Sequence, residues 1–174
     1  MAQLIDGKAV ALELRTKIHA DIQEFQTKHA DFKPNLAIIQ VGERPDSSTY
    51  VRMKLKSAQE ASIDWNIIKL PESITEYELL NKISRLNNDV EVDGILIQLP
   101  IPGHLDETKI TSAVNADKDV DGFGPFNVGE LSKKGGEPLF LPCTPKGIIQ
   151  LLESSNVTIA GSNAVVLGRS DIVG

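Results

Sequence analysis

The chain has 174 residues, 41% hydrophobic and 24% charged, an ordinary composition for one folded domain with a buried core. Its 18 basic and 24 acidic residues leave a net charge of −6, the wrong sign for a nucleic-acid partner, which calls for a basic patch. No apolar run approaches the about 20 residues of a membrane span, and no signal-peptide or transit-peptide pattern opens the chain. The lone Cys143 and the scattered His19, His29 and His104 offer neither an internal disulfide nor metal-ligand spacing. A soluble, cytoplasmic protein without metal, membrane or nucleic acid is expected.

Asp6 can cap a helix over residues 8–28, with Leu14, Ile18, Ile22 and Phe25 spaced as one apolar stripe. Pro34 opens a near-continuous apolar run at 35–41, typical of a strand covered on both faces. After a loop at 42–47, Ser47 or Ser48 is expected to cap a second helix to about 62, with Val51, Leu55 and Ala58 inward. Residues 66–70 read as a second strand, and Thr75 with Glu78 forms a capping box for a third helix burying Leu79, Ile83 and Leu86. A third strand at 93–99 ends at Pro100 and Pro102. A shorter helix at 106–114 then leads into a loop at 115–124. Beyond a polar turn at 133–136, Thr144 and Pro145 supply an N-cap and first position for a helix to about 153. Finally, 163–167 reads as a buried strand, running into Gly168, Arg169 and Ser170. Such a turn feeds a helix and sets backbone N–H groups against a phosphate.

Alternating strands and helices predict an α/β fold: a three-layer α/β/α domain with a mainly parallel sheet, followed by the start of a Rossmann-type unit. The division is expected near Cys143, giving segments 1–143 and 144–174. Ligands on such sheets sit beyond the carboxyl ends of the strands, which directs attention to loops 42–48, 98–103 and 168–174. The chain stops at Gly174 just as the nucleotide unit begins, so that unit is expected either to continue further on or to be lacking here.

Tyr50 and Lys54 are one helical turn apart and share a face distinct from the Val51 stripe. A lysine beside an aromatic ring in a half-buried cleft can serve as general acid or base; an ordinary solvated face, with Arg52 and Lys56 in the same basic run, explains the pattern at least as well. Gln98 is the last polar residue of an apolar strand, fit either to hold a ligand or merely to cap an edge. Asp119 and Asp121 precede Gly122 and could clamp adjacent N–H groups of a heterocycle, although turn chemistry accounts for them too. Cys143 reads as a buried structural cysteine, since no histidine or acid is placed by sequence to activate it.

Five blocks in order change the weight of these features: VGERPDSSTYVRMKLK at 41–56, DGILIQLPIP at 93–102, KDVDGF at 118–123, PCTPKG at 142–147 and GRSDIVG at 168–174. Together they resemble the successive signatures of the methylenetetrahydrofolate dehydrogenase/cyclohydrolase family, over the whole chain. The wording is nearest to the fungal trifunctional C1-tetrahydrofolate synthases, in which a formate–tetrahydrofolate ligase domain follows.

The resemblance implies NADP-dependent oxidation of 5,10-methylenetetrahydrofolate to the methenyl form, and its hydrolysis to 10-formyltetrahydrofolate in the same cleft. It makes Lys54 the catalytic lysine, chiefly for hydrolysis, with Tyr50 stacking on the folate, Gln98 tuning the lysine and Asp121 holding the pterin. Val51, Arg52, Met53, Ile97 and Leu99 join them as substrate-binding residues, and Gly168, Arg169 and Ser170 as the NADP contacts, the arginine at the 2′-phosphate. A homodimer is implied for the complete enzyme. Arg52 and Lys56 could also attract the glutamate tail of folate. One departure is Ala61-Ser62-Ile63, where the family usually has glycine before the isoleucine, which puts the local helix C-cap in doubt. Two other readings stand beside the bifunctional one: a monofunctional NAD-linked dehydrogenase, against which the retained Tyr50 and Lys54 argue, and a silent fragment that binds folate or a partner without turnover. A polypeptide of these 174 residues is expected to lack competent dehydrogenase activity and to hydrolyse weakly.

Overall fold

The computed structural model describes residues 4–170. Nine elements follow one another: α1 (Gly7–Gln26), β1 (Asn35–Val41), α2 (Pro45–Glu60), β2 (Asp64–Leu70), α3 (Glu76–Asn87), β3 (Gly94–Ile97), α4 (Glu107–Ser112), α5 (Pro125–Ser132) and α6 (Cys143–Ser154). The strands form a parallel sheet in the order β2-β1-β3, with Asn35 opposite Asp64 and Leu36 opposite Gly94. β1 lies in the middle, which explains its near-continuous apolar run.

Strand alternation divides the sheet's side chains between two faces. Ala37, Ile39, Val41, Ile95 and Ile97 pack with Leu79, Ile83 and Leu86 of α3 and Ile110 of α4 in the larger core. Leu36, Ile38 and Leu96 face the other way, against Val51 and Leu55 of α2. The three-layer α/β/α expectation therefore holds. A short continuation of the sheet sets the functional site: Ile95 bridges to Asp119 in parallel, its N–H donating to Lys118 O at 2.7 Å. Glycine at 94 permits that approach, since a Cβ there would lie 2.6 Å from Val120 Cγ1.

The caps explain where helices start. Asp6 Oδ1 accepts the N–H groups of Lys8 and Ala9, and the Thr75–Glu78 capping box forms as the sequence predicts. α2 begins earlier than expected, at Pro45, because proline supplies a helical φ at the first position; its N-cap is Arg44 rather than Ser47 or Ser48. α6 likewise begins at Cys143 behind Pro142, so Thr144 and Pro145 lie inside its first turn.

The α1 stripe is a partial correction: only Ile22 is buried, because α1 lies against α2 and α6 rather than on the sheet. α5 is a helix within a stretch the sequence left without one; Gly124 and Pro125 are its N-cap and first residue. The predicted strand at 163–167 does not form. Val165 and Leu167 are 86% and 94% exposed, and no described strand offers these residues a ladder. Of the loop expected at 168–174, residues 171–174 lie outside the described residues.

The sequence departure at Ser62 also has a structural consequence. Ala61 caps α2, and the next residue, Ser62, is left-handed with φ 61°. Its N–H donates to Gln59 O and the Ile63 N–H to Ala58 O, the paired bonds of a Schellman ending, for which glycine is preferred. The Ser62 hydroxyl bonds His19 Nδ1 of α1 at 2.7 Å, which offsets some of that strain.

Candidate active site

A cavity of about 940 Å³ opens between α2, β3, the 119–124 turn and the strap that leads into α6. Gly94, Leu96 and Gln98 alternate onto the α2 side of the sheet, which brings the Gln98 carboxamide beneath the helix carrying Tyr50 and Lys54. Lys54 Nζ donates to Gln98 Oε1 at 3.2 Å. Gln98 Nε2 donates to Leu99 O at 2.7 Å, so the amide is held with its oxygen toward the lysine. Register places Gln40 beside Gln98 on the same face; Gln40 is buried, and its Nε2 donates to Ser48 Oγ at 3.0 Å and fixes the first turn of α2.

Tyr50, one turn before Lys54, leaves a broad ring at the cavity, 61% exposed. Opposite stand Phe123, Phe140 and Asp121. Burial raises the Asp121 carboxyl from 3.8 to about 6, the Lys54 ammonium pulling it down and the Asp119 carboxylate pushing it further up. Its oxygens accept no hydrogen bond from other described residues. The cavity therefore pairs a cationic donor, whose position is fixed, with an acceptor free to take N–H groups from a ligand, and the walls between them are aromatic and apolar.

Tyr50, Met53, Lys54, Ile97, Gln98, Leu99 and Asp121 all border the cavity. Val51 does not; it is buried between α2 and the sheet. Arg52 is exposed away from the cavity, and Lys56 lies 3.9 Å from Glu60. Gly168, Arg169 and Ser170 are also off the cavity and exposed, with no strand behind them among the described residues. Cys143 is the other correction: rather than a buried structural thiol, it is exposed on the cavity rim, because the first turn of α6 faces inward there. Partial burial and the nearby Asp121 carboxylate raise its thiol pKa, which disfavours the thiolate. Phe123, Phe140 and Arg15 of α1 border the cavity without having been singled out by sequence. Arg15 Nε lies 2.6 Å from Glu60 and ties α1 to α2 at that end.

A parallel α/β sheet whose cleft gathers a lysine, a carboxamide and a half-buried carboxylate beyond its strand ends defines an enzyme-type site. The family follows from comparison. The tetrahydrofolate dehydrogenase/cyclohydrolase catalytic domain matches residues 5–121, and the NAD(P)-binding domain of the same enzymes matches 142–174; the chain belongs to this family. It is 61% identical over 172 residues to the cytoplasmic C-1-tetrahydrofolate synthase of Saccharomyces cerevisiae, covering 99% of this chain and 18% of that protein. It is 49% identical to bifunctional protein FolD 2 of Arabidopsis thaliana, covering 99% of this chain and 58% of the other. Among solved structures, the 5,10-methylenetetrahydrofolate dehydrogenase of the silkworm Bombyx mori superposes with a TM-score of 0.95 at 38% identity, covering 100% of this chain and 59% of that one. The Trypanosoma brucei N5,N10-methylenetetrahydrofolate dehydrogenase-cyclohydrolase, complexed with NADP cofactor and inhibitor, gives 0.94 at 36%, covering 99% and 58%. The chain thus spans less than two thirds of each of these relatives.

Proposed function

We propose that the cavity is a reduced-folate site and that its own residues carry the hydrolysis of 5,10-methenyltetrahydrofolate to 10-formyltetrahydrofolate. The observation that carries this reading is the Lys54–Gln98 bond of 3.2 Å in a cavity that also holds the unpartnered Asp121 carboxylate. Asp121 would accept the adjacent ring and amino N–H groups of the pterin, a bidentate arrangement that fixes the ring plane. Tyr50 supplies the stacking surface. Gln98 Oε1 orients the lysine toward the carbon between N5 and N10.

The substrate is an amidinium cation. Water adds to that carbon and loses a proton, the carbon–N5 bond then breaks, and N5 takes a proton as the formyl group stays on N10. The net change is one water consumed and one proton released. Lys54 is the group placed to move those protons: as the neutral amine it accepts one from the adding water, and the ammonium so formed donates to N5 as it departs. In the complete protein NADP would supply the hydride acceptor for oxidation of the methylene compound, and Gly168, Arg169 and Ser170 would be among the residues that hold it. A homodimer and a cytoplasmic setting are proposed for the complete protein on family grounds.

The hydrolytic reading is tested by following the loss of methenyltetrahydrofolate absorbance with the purified chain. Slow hydrolysis above the buffer rate, lost in Lys54→Met, supports it; equal rates in both proteins reject it.

A further inference from the structure

Behind the cavity wall lies a buried polar knot built on two side chains, Asp119 and Asn127, that do not themselves line the cavity. Asp119 and Asn127 are 4% and 0% exposed. Asp119 Oδ2 accepts the Gly124 N–H at 2.7 Å and an Asn127 Nδ2–H at 3.1 Å. Asn127 Nδ2 also donates to Ala116 O at 3.3 Å, while its Oδ1 accepts the N–H groups of Leu139 at 2.9 Å and Phe140 at 3.1 Å. One carboxylate and one amide thus join three separate pieces of backbone: the turn that carries Asp121, the first turn of α5, and the strap that delivers Phe140 and Cys143 to the cavity. The two walls meet at Gly122, whose φ is 67° and where a Cβ would lie 2.8 Å from Phe140 O.

We propose that Asp119 and Asn127 are the positioning residues of the site, locking the Asp121 turn and the Phe140 strap into one rigid wall and so fixing Asp121 relative to Lys54 and Gln98. This rests on the reading of the cavity as a folate site. The Asp121 turn meets the sheet through the Ile95–Asp119 bridge and Val120, whereas the Phe140 strap lies outside the sheet and its Leu139 is 56% exposed. The buried, charge-assisted network joins that strap to the turn, and any half-satisfied version of it would loosen the wall they form. Tolerance in such a site is a fraction of an ångström, so a wall that shifts costs binding directly. Asp119 acts on Asp121 electrostatically as well. The charged and titratable groups facing Asp121 are Lys54 from α2, Asp119 on its own turn and Cys143 from α6, and the Asp119 charge helps Asp121 keep its proton.

The test uses the full chain with Asp119→Asn, Asn127→Asp and, as a destabilised control on the far face of the sheet, Leu86→Ala. Three quantities are read: the titration midpoint of the Asp121 carboxyl carbon by NMR, the dissociation constant for 5-formyltetrahydrofolate, and the melting temperature. Asp119→Asn should move the Asp121 midpoint to lower pH. Asn127→Asp, which sets a second carboxylate against Asp119, should weaken folate binding about tenfold or more. Leu86→Ala should lower the melting temperature but leave the midpoint in place and the affinity within about threefold. Unchanged midpoint and affinity in both site variants, or the same losses in the control, would overturn the proposal. If the unaltered chain does not bind 5-formyltetrahydrofolate, the folate reading falls, and the Asp121 midpoint in Asn127→Ala, which changes no charge, decides the positioning role: a shift absent from Leu86→Ala supports it and no shift overturns it. If Asn127→Asp does not fold, Asp119→Asn decides alone.

Discussion

Asp121 should cost the fold stability in return for its place in the cavity, and the cost can be read from pH. Its carboxyl titrates at about 6 in the folded chain against 3.8 when unperturbed, chiefly because the charged form is desolvated. Between those two values the folded state holds a proton that the unfolded state has released, so stability falls as pH rises through the window and stays lower above it. At about 1.4 kcal/mol per pH unit, the displacement from 3.8 to about 6 amounts to at most about 3 kcal/mol. Asp121→Asn keeps the shape of the protonated acid and cannot ionise. The variant should match the unaltered chain near pH 4 and exceed its unfolding free energy by up to about 3 kcal/mol near pH 8, or about 6–12 °C in melting temperature. Urea unfolding across that range, followed by the fluorescence of Trp65, measures the difference directly. A gap that does not change with pH, or a variant less stable than the parent at pH 8, would refute the desolvation argument.

Other residues give equally direct expectations. Ser62→Gly should be about 1 kcal/mol more stable than Ser62→Ala in thermal unfolding, because both lose the His19 bond and only alanine retains the left-handed strain. Gln98→Ala, which releases Lys54, should lower the rate of methenyltetrahydrofolate hydrolysis about 100-fold while changing the substrate KM little; a purely KM effect would make Gln98 a binding residue instead. Arg169→Ala should leave 5-formyltetrahydrofolate affinity within about threefold in titration calorimetry, since Arg169 lies off the cavity.

What the sequence revealed depended on how local the signal was. β1 occupies the predicted 35–41, because its near-continuous apolar run reflects burial on both faces and needs no distant partner to be recognised. The Thr75–Glu78 box was equally readable, being a bond between near neighbours. The run at 163–167 has strand composition but no described neighbour to pair with, and composition alone cannot create a ladder. Helix α5 was hidden because its buried residue is Asn127, so its apolar periodicity is weak; only Gly124-Pro125 marked its start.

The site divides in the same way. The Tyr50–Lys54 spacing was visible on one helix face, but the sequence could not choose between a solvated face and a cleft; the cavity there and the contact with Gln98, just past β3 and 44 residues away, depend on the fold. Asp119 and Asp121 looked equivalent as two acids before a glycine, and the fold gives them opposite surroundings, one inside a hydrogen-bond network and the other at the cavity. Phe140 and the strap carry no local motif, because their position follows from bonds to Asn127 across 12 and 13 residues.

The central claim is that this cavity takes a reduced folate between Lys54 and Asp121. The most direct measurement is titration of the purified chain with 5-formyltetrahydrofolate, beside Lys54→Met and Asp121→Ala. Saturable one-to-one binding that weakens in each variant by about tenfold or more, with folding intact, is expected. Saturable binding of equal strength in all three proteins, or no binding by the unaltered chain, would contradict it.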